Sequence, residues 1–189
     1  QAPDSGNAEI LAKFGTADQK ERFLKPLLNA EIASCYSMTE PQAGADPGEF
    51  LCTATRDGDE WVINGEKWFA SHARFSAFLL VMVVTNPDVP IHKGASIFLV
   101  EQGTPGMDII RNSAVGPYVE QGDGVHAYIE FKNCRVPANN LLGEEGDGFL
   151  VAQTRLGGGR VHHAMRSVGV IRKAIDMTCE RALRRKTKG

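Results

Sequence analysis

Between residues 34 and 143 the apolar residues recur in steps of two or in short unbroken runs, while on either side they recur in steps of three and four. This change of period constrains the fold more than any other feature of the chain. Leu51, Thr53 and Thr55 alternate with Cys52, Ala54 and Arg56, and Asp57-Gly58-Asp59 supplies a turn. Trp61-Val62-Ile63 reads as a strand, Asn64-Gly65 as a hairpin turn and Lys67-Trp68-Phe69 as the returning strand. Phe78–Val84 is a continuous apolar run short enough to be one buried strand. Residues 96–100, 107–111 and 125–131 extend the series, with Pro105-Gly106 and Asn133 as punctuation. Several short strands with turns between them predict an antiparallel β-barrel or sandwich. The lack of alternating helices speaks against a Rossmann domain.

Residues 8–33 read as helix, break, helix. Ile10, Leu11 and Phe14 share a face, and Gly15 ends the first piece. Thr16-Ala17-Asp18-Gln19 matches a capping box, and Phe23, Leu24, Leu27 and Leu28 continue the apolar stripe. Pro26 predicts a kink or a restart, because its ring denies the helix one hydrogen bond. A second helical stretch covers about 146–187, where the spacing of Ala164, Val168, Ile171 and Ile175 predicts one buried face. Gly157-Gly158-Gly159 interrupts that pattern, each glycine costing roughly 1 kcal/mol against alanine. The run predicts a break, or a point where something approaches the backbone closely. The fold class is therefore α+β: a β-domain flanked by helical segments.

The composition is that of a soluble globular protein, 42% hydrophobic and 23% charged. A net charge of -2 gives no electrostatic case for nucleic acid. The basic end, with Arg181, Arg184, Arg185, Lys186 and Lys188, reads as an exposed helix end. No apolar run reaches membrane-spanning length, and the first residues lack a signal-peptide pattern. Cys35, Cys52, Cys134 and Cys179 lie far apart without paired metal spacing and read as buried thiols in a reducing compartment. His162 and His163 are neighbours, so on a helix they point about 100° apart and are badly placed to chelate one metal together.

The stretch from Cys35 to Asp46 has neither period. It sets Tyr36, Met38 and Thr39 beside a Glu40-Pro41 pair and Gly44, a combination suited to the wall of a site for a flat, partly apolar ligand. Met38-Thr39-Glu40-Pro41 resembles the flavin-lining loop of the acyl-CoA dehydrogenase family. Three further segments resemble that family in its order. They are Gly65-Glu66-Lys67-Trp68-Phe69-Ala70-Ser71, then Val136-Pro137-Ala138-Asn139-Asn140-Leu141-Leu142-Gly143 with Gly146-Asp147-Gly148-Phe149, and Arg155-Leu156-Gly157-Gly158-Gly159-Arg160-Val161-His162-His163. Together they cover nearly the whole chain. The last resembles a branch with kinase-fused members that handle 4-hydroxyacyl-CoA substrates through a phosphorylated form.

The resemblance implies bound FAD and α,β-desaturation of an acyl-CoA. A carboxylate removes the α proton, and hydride passes from the β carbon to flavin N5. It places the flavin ring against Tyr36, Met38 and Thr39, with Phe69 packed on it and the Ser71 hydroxyl, where the family usually has threonine, near N5. It puts Ala45, Arg160 and His163 at the acyl-CoA. Glu40 holds the loop by hydrogen bonds and is not the base.

The chain also departs from the family. Ala45 stands where many members have serine, Gly157 replaces an acid, and Gly159 occupies a position where some members keep the catalytic glutamate. The base is therefore expected beyond Gly189, and no residue of this chain is assigned that role. Residues 1–33 are expected to close an N-terminal helical domain, 34–143 to form the flavin- and acyl-CoA-binding β-domain, and 144–189 to open a C-terminal four-helix bundle. The implied partners are an electron-transferring flavoprotein and further copies in a homodimer or homotetramer. The compartment is cytoplasmic in a bacterium or the mitochondrial matrix in a eukaryote. An oxygen-using acyl-CoA oxidase and a non-catalytic flavin- or CoA-binding scaffold are the rival readings.

Overall fold

The computed structural model describes residues 2–113 and 126–187. Helix α1 spans Asp4–Phe14 and ends at Gly15, whose N–H still reaches the Leu11 carbonyl. Helix α2, Ala17–Gln19, opens on the expected capping box: Gln19 N–H donates to Thr16 Oγ1, and Thr16 N–H donates to Gln19 Oε1. A π-helical turn over Lys20–Leu24 follows and leads into α3, Lys25–Leu28. The wider turn is how the chain absorbs Pro26. The Lys25 N–H reaches back five residues to the Lys20 carbonyl, so the helical path continues where an ordinary turn would meet the proline ring. Phe23 and Leu27 are buried as their spacing predicts, whereas Leu28 is 68% exposed.

Seven strands follow: β1 Ser34–Ser37, β2 Thr53–Asp57, β3 Glu60–Ser71, β4 Phe78–Val84, β5 Ala95–Glu101, β6 Met107–Asn112 and β7 His126–Pro137. A short helix α4, Ile91–Gly94, joins β4 to β5, and the long helix α5 spans Gly148–Arg184. The sheet order is β1-β4-β2-β3-β7-β6, with β5 also paired to β4. The α+β class holds, and the sheet is mixed: β4 runs parallel to both β1 and β2. The parallel contact with β2 has a simple origin. The chain reverses at the β2–β3 hairpin and again between β3 and β4, so two reversals return it to its first direction.

Burial on both faces explains the apolar run of β4. Leu79, Val81 and Val83 join Phe98 and Val100 of β5 in a core with Trp61, Ile63, Ile129, Phe131 and Val136. Phe78, Leu80, Met82 and Val84 point the other way, into a second core with Ile10, Leu11, Phe23, Val151 and Ala152 from the helices. Trp61 meets Phe98 at 5.3 Å in the first core, and Phe23 meets Phe78 at 4.8 Å in the second. A strand buried twice has no reason to alternate.

Three expectations change. Asn64-Gly65 is not a hairpin: β3 runs straight through it, and the hairpin sits at Asp57–Glu60. A bulge lies there instead, shifting the β3–β7 register between Ile63 and Gly65. Asn64 Oδ1 accepts from the Asn133 N–H across it, and Asn133 itself sits at φ +49°. Gly157-Gly158-Gly159 does not break α5. The helix passes through, and a Cβ at any of the three would meet nothing within 4 Å. Val168, Ile171 and Ile175 are each more than half exposed, and Ala164 is exposed as well. They do share a face, but α5 is exposed from Gly158 onward, after about its first three turns, so nothing among the described residues covers that face. Cys35, Cys52 and Cys134 are buried as expected, and Cys179 is exposed. The expected strand residue Val125 and the basic residue Lys188 lie outside the described residues.

Gly65 has φ +132°, and a Cβ there would lie 2.6 Å from Cys52 Cα. Gly65→Ala is expected to destabilise by about 2–4 kcal/mol through strain and overpacking. Gly157→Ala is expected to stabilise by about 0.5–1 kcal/mol, since it fills open space on a helix. Urea unfolding of the two variants checks both signs. Burial pushes the thiols of Cys35 and Cys52 up to about 12 and that of Cys134 up to about 11. At neutral pH these three should resist alkylation in the native protein and react after denaturation, as mass mapping of labelled peptides would read.

Candidate functional site

A cavity of about 600 Å³ opens between two walls. One is the end of β1 with the loop that follows it, contributing Tyr36, Met38, Thr39, Gly44 and Ala45. The other is the end of β3, contributing Trp68, Phe69 and Ser71, with His126 of β7 beside them. Pro3, Arg155 and Leu156 close one side. The five residues expected to hold the cofactor, Tyr36, Met38, Thr39, Phe69 and Ser71, thus line one space, and Ala45 lines it with them. Tyr36 was expected in a loop; it lies on β1, a strand that the sequence pattern did not reveal.

The β3 wall owes its shape to a second bulge. Inward residues fall at Trp61, Ile63 and Lys67, in phase with the pleat, and the register then shifts between Lys67 and Ala70. The shift turns Phe69 out of line, at φ +54° and 41% exposed, and it brings Ala70 inside. Phe69 stacks on Trp68 with centroids 4.8 Å apart and planes 5° from parallel, so the cavity gains a flat aromatic face. The Trp68 indole donates to Ser113 Oγ, which holds the pair in place. Ser71 Oγ lies 2.9 Å from His126 Nδ1. His72 follows at φ +68°. Two non-glycine residues in the left-handed region cost about 1–3 kcal/mol each and flank the Ser71 hydroxyl.

The opposite wall is held by a buried ion pair that the residue types alone did not reveal. Lys67 Nζ donates to Glu40 Oε1 at 2.7 Å and to the Met38 carbonyl at 2.9 Å, and both side chains are buried. Glu40 Oε2 accepts from the N–H groups of Leu51 and Cys52 and from Gln42. Glu40 therefore holds the loop, as its place in the sequence suggested. Burial lowers the Lys67 pKa below its ordinary value, and the neighbouring Cys52 and Glu40 oppose that fall. The Trp68 N–H also donates to the Thr39 carbonyl at 2.8 Å, so the two walls are tied through both backbone and side chain. The Thr39 hydroxyl has no protein partner among the described residues.

Arg155 closes the cavity from α5. Its guanidinium lies 3.9 Å from the Tyr36 ring centroid and donates through Nε to Asn7 Oδ1 at 2.7 Å. Asn7 Nδ2 donates to Ser34 Oγ, and the Ser34 hydroxyl and N–H both donate to Asp4 Oδ1. Burial lowers the Arg155 pKa and raises that of Tyr36. Arg160 and His163 do not line this cavity. They line an adjoining one of about 630 Å³ that shares Pro3, Arg155 and Leu156 with it and reaches Glu9 and His162. His163 Nδ1 lies 3.1 Å from Arg166 Nη2. No carboxylate lines the first cavity among the described residues. No group of three or more metal-binding side chains occurs among them either.

Residues 35–134 match the acyl-CoA dehydrogenase middle domain, and residues 146–189 match the acyl-CoA dehydrogenase C-terminal domain. The probable acyl-CoA dehydrogenase FadE2 of Mycobacterium tuberculosis is 46% identical over 97% of this chain and 46% of its own length. Acyl-CoA dehydrogenase family member 11 of Homo sapiens is 44% identical over 98% of this chain and 24% of its own. The chain thus spans less than half the length of these relatives. A putative acyl-CoA dehydrogenase structure from Mycobacterium abscessus superposes over all of the chain and 47% of its own, with a TM-score of 0.83 at 39% identity.

Asn7 is the link between Arg155 and Ser34, and it is fully buried. Asn7→Ala takes the acceptor from Arg155 Nε and one donor from Ser34 Oγ and is expected to cost about 1–3 kcal/mol in chemical denaturation. Lys25→Ala, which removes an exposed pair with Glu21, should leave the denaturation midpoint nearly unchanged in the same measurement.

Proposed function

The chain belongs to the acyl-CoA dehydrogenase family, and from that membership we propose that it forms the flavin- and thioester-binding part of an FAD-dependent acyl-CoA desaturase. The supporting observation is the single cavity that gathers Tyr36, Met38, Thr39, Phe69, Ser71 and Ala45. Its character suits an isoalloxazine ring: a flat aromatic face at Trp68–Phe69, an unspent hydroxyl at Thr39, and a second hydroxyl at Ser71. FAD, when bound, supplies the two-electron acceptor for the hydride that leaves the β carbon.

The protein's own residues bind, orient and exclude water. The aromatic pair covers the apolar face of the ring, and Met38 and Thr39 address its polar edge. Tyr36, pinned by Arg155, fixes the rim. Hydrogen bonds to the thioester oxygen acidify the α proton, and they gain strength because the site is shielded from solvent. The proton goes to a carboxylate supplied from outside this chain segment, in keeping with the absence of any acid in the described cavity wall. Ala45 lies beside the thioester, and Arg160 and His163 border the path of the acyl-CoA in the adjoining cavity. In this reading residues 1–33 and 144–189 belong to helical domains that flank the β-domain of 34–143. Electrons leave to an electron-transferring flavoprotein, and the complete protein assembles as a homodimer or tetramer. No helix among the described residues is long and apolar enough to cross a membrane.

The test is the visible spectrum of the full-length protein without oxygen, before and after addition of acyl-CoAs of graded length. A flavin band that bleaches with one of them is the expected result. A folded, FAD-supplemented protein without a flavin band overturns the reading. A band that no acyl-CoA bleaches overturns the proposed substrate.

A further inference from the structure

Lys67 is the largest wholly buried side chain that carries a charge, at 0% exposure. It does not line the cavity. Its ammonium donates to Glu40 Oε1 and to the Met38 carbonyl and lies 4.4 Å from the Phe50 ring centroid, with Cys52 also nearby. Stability alone is a poor reason for such a pair. Desolvating two charges costs several kcal/mol per ion, and well-packed apolar residues of similar volume often do as well or better. A bond from a cation to a peptide carbonyl does something an apolar residue cannot. It draws electron density out of that peptide and makes its N–H a stronger donor. The peptide here joins Met38 to Thr39, both of which line the cavity. Two-electron reduction with uptake of one proton adds one negative charge to a flavin. A positive charge one peptide away therefore favours the reduced form.

We propose that Lys67 is a positioning residue that raises the reduction potential of the bound flavin by polarising the Met38–Thr39 peptide, with Glu40 as the counter-charge that limits the effect. The proposal rests on the FAD reading above. It differs from a purely structural role in one respect. Removing either partner of a structural pair harms the site in the same direction, whereas removing the cation and removing the anion should move a potential in opposite directions.

The experiment uses the full-length protein as wild type, Lys67→Met, Glu40→Gln and the double variant. Each is loaded with FAD and its two-electron potential is measured against reference dyes, with folding followed by circular dichroism. Lys67→Met should shift the equilibrium about tenfold toward oxidised flavin, which is about 30 mV for a two-electron couple. Glu40→Gln should shift it toward reduced flavin, and the double variant should lie between them. If Lys67→Met does not fold, the Glu40→Gln shift and the double variant decide the matter. Shifts of one sign, no shift, or loss of flavin from all three variants while the wild type holds it would overturn the proposal. A wild type without flavin fails at the earlier reading, and this proposal falls with it.

Discussion

Everything around the cavity depends on β4 and β5 being buried on both faces. Leu79, Val81 and Val83 commit one face to the strands, while Phe78, Leu80 and Met82 commit the other to the helices. The pair is thus a partition between two cores, and both cores are built from it. The burial of a side chain of this kind stabilises by about 1.5–3 kcal/mol, and alternate positions along one strand supply both cores. Helices cannot slide on such a strand without emptying one of them. That is why α1 and α5 can be relied on to bring Pro3, Asn7 and Arg155 to the rim of a cavity whose other walls are strand ends. The junction is tightened by polar contacts: Gln19 Nε2 reaches the Asn139 and Leu141 carbonyls, Asn140 reaches the Leu99 carbonyl, and Gly148 packs close on the Ser96 backbone.

On that frame the cavity is made by irregularity. A regular β3 would alternate, and Phe69 would follow Lys67 into the core. The bulge falls after Lys67, so the lysine keeps its inward place and the phenylalanine that would have followed it comes out. Both choices run against the solvation preferences of the side chains. The inward lysine is tolerable because Glu40, Met38 and Phe50 surround its ammonium. The outward phenylalanine is tolerable because it stacks on Trp68 and faces a recess. Departures of this kind, where local rules are broken and the cost is met by neighbours, tend to mark the working parts of a protein.

The legible parts of the fold were those carried by period and by local hydrogen bonding. The apolar run at Phe78–Val84 and the capping box at Thr16 and Gln19 both appear where their residues placed them. The Asn64-Gly65 pair misled because a left-handed turn and a bulge ask for the same residues, and only the partner strand decides between them. Three glycines on α5 misled in a different way. Their cost in helix propensity is real, but thirty-seven residues of continuous backbone hydrogen bonding outweigh it. Strand β1 stayed hidden because four residues are too few to show a period. The walls of the cavity were found from resemblance to the family motifs. Lys67 falls in phase with Trp61 and Ile63 only when β3 runs through Asn64-Gly65, so reading that pair as a turn hid an inward lysine that demands a carboxylate. Glu40, already read as a loop-holding acid, was the candidate. Arg155 and Asn7 could not be paired from sequence, because 148 residues separate them and only the two-core packing brings their helices together.

The long reach of Arg155 also explains how helix α1, far from the motifs in sequence, bears on the site. The guanidinium lies across the Tyr36 ring, and its one strong hydrogen bond goes to Asn7. Asn7 in turn holds Ser34, which shares Asp4 with its own backbone. Three elements, α1, β1 with its Tyr36 ring, and α5, are therefore tied into one network. A polar chain buried this far is stable only when every member is satisfied, so a small displacement of α1 would be felt at Tyr36 as a lost partner for Arg155. The same guanidinium forms the wall common to both cavities. The position of one helix thereby sets the boundary between the space assigned to the flavin and the space assigned to the acyl group.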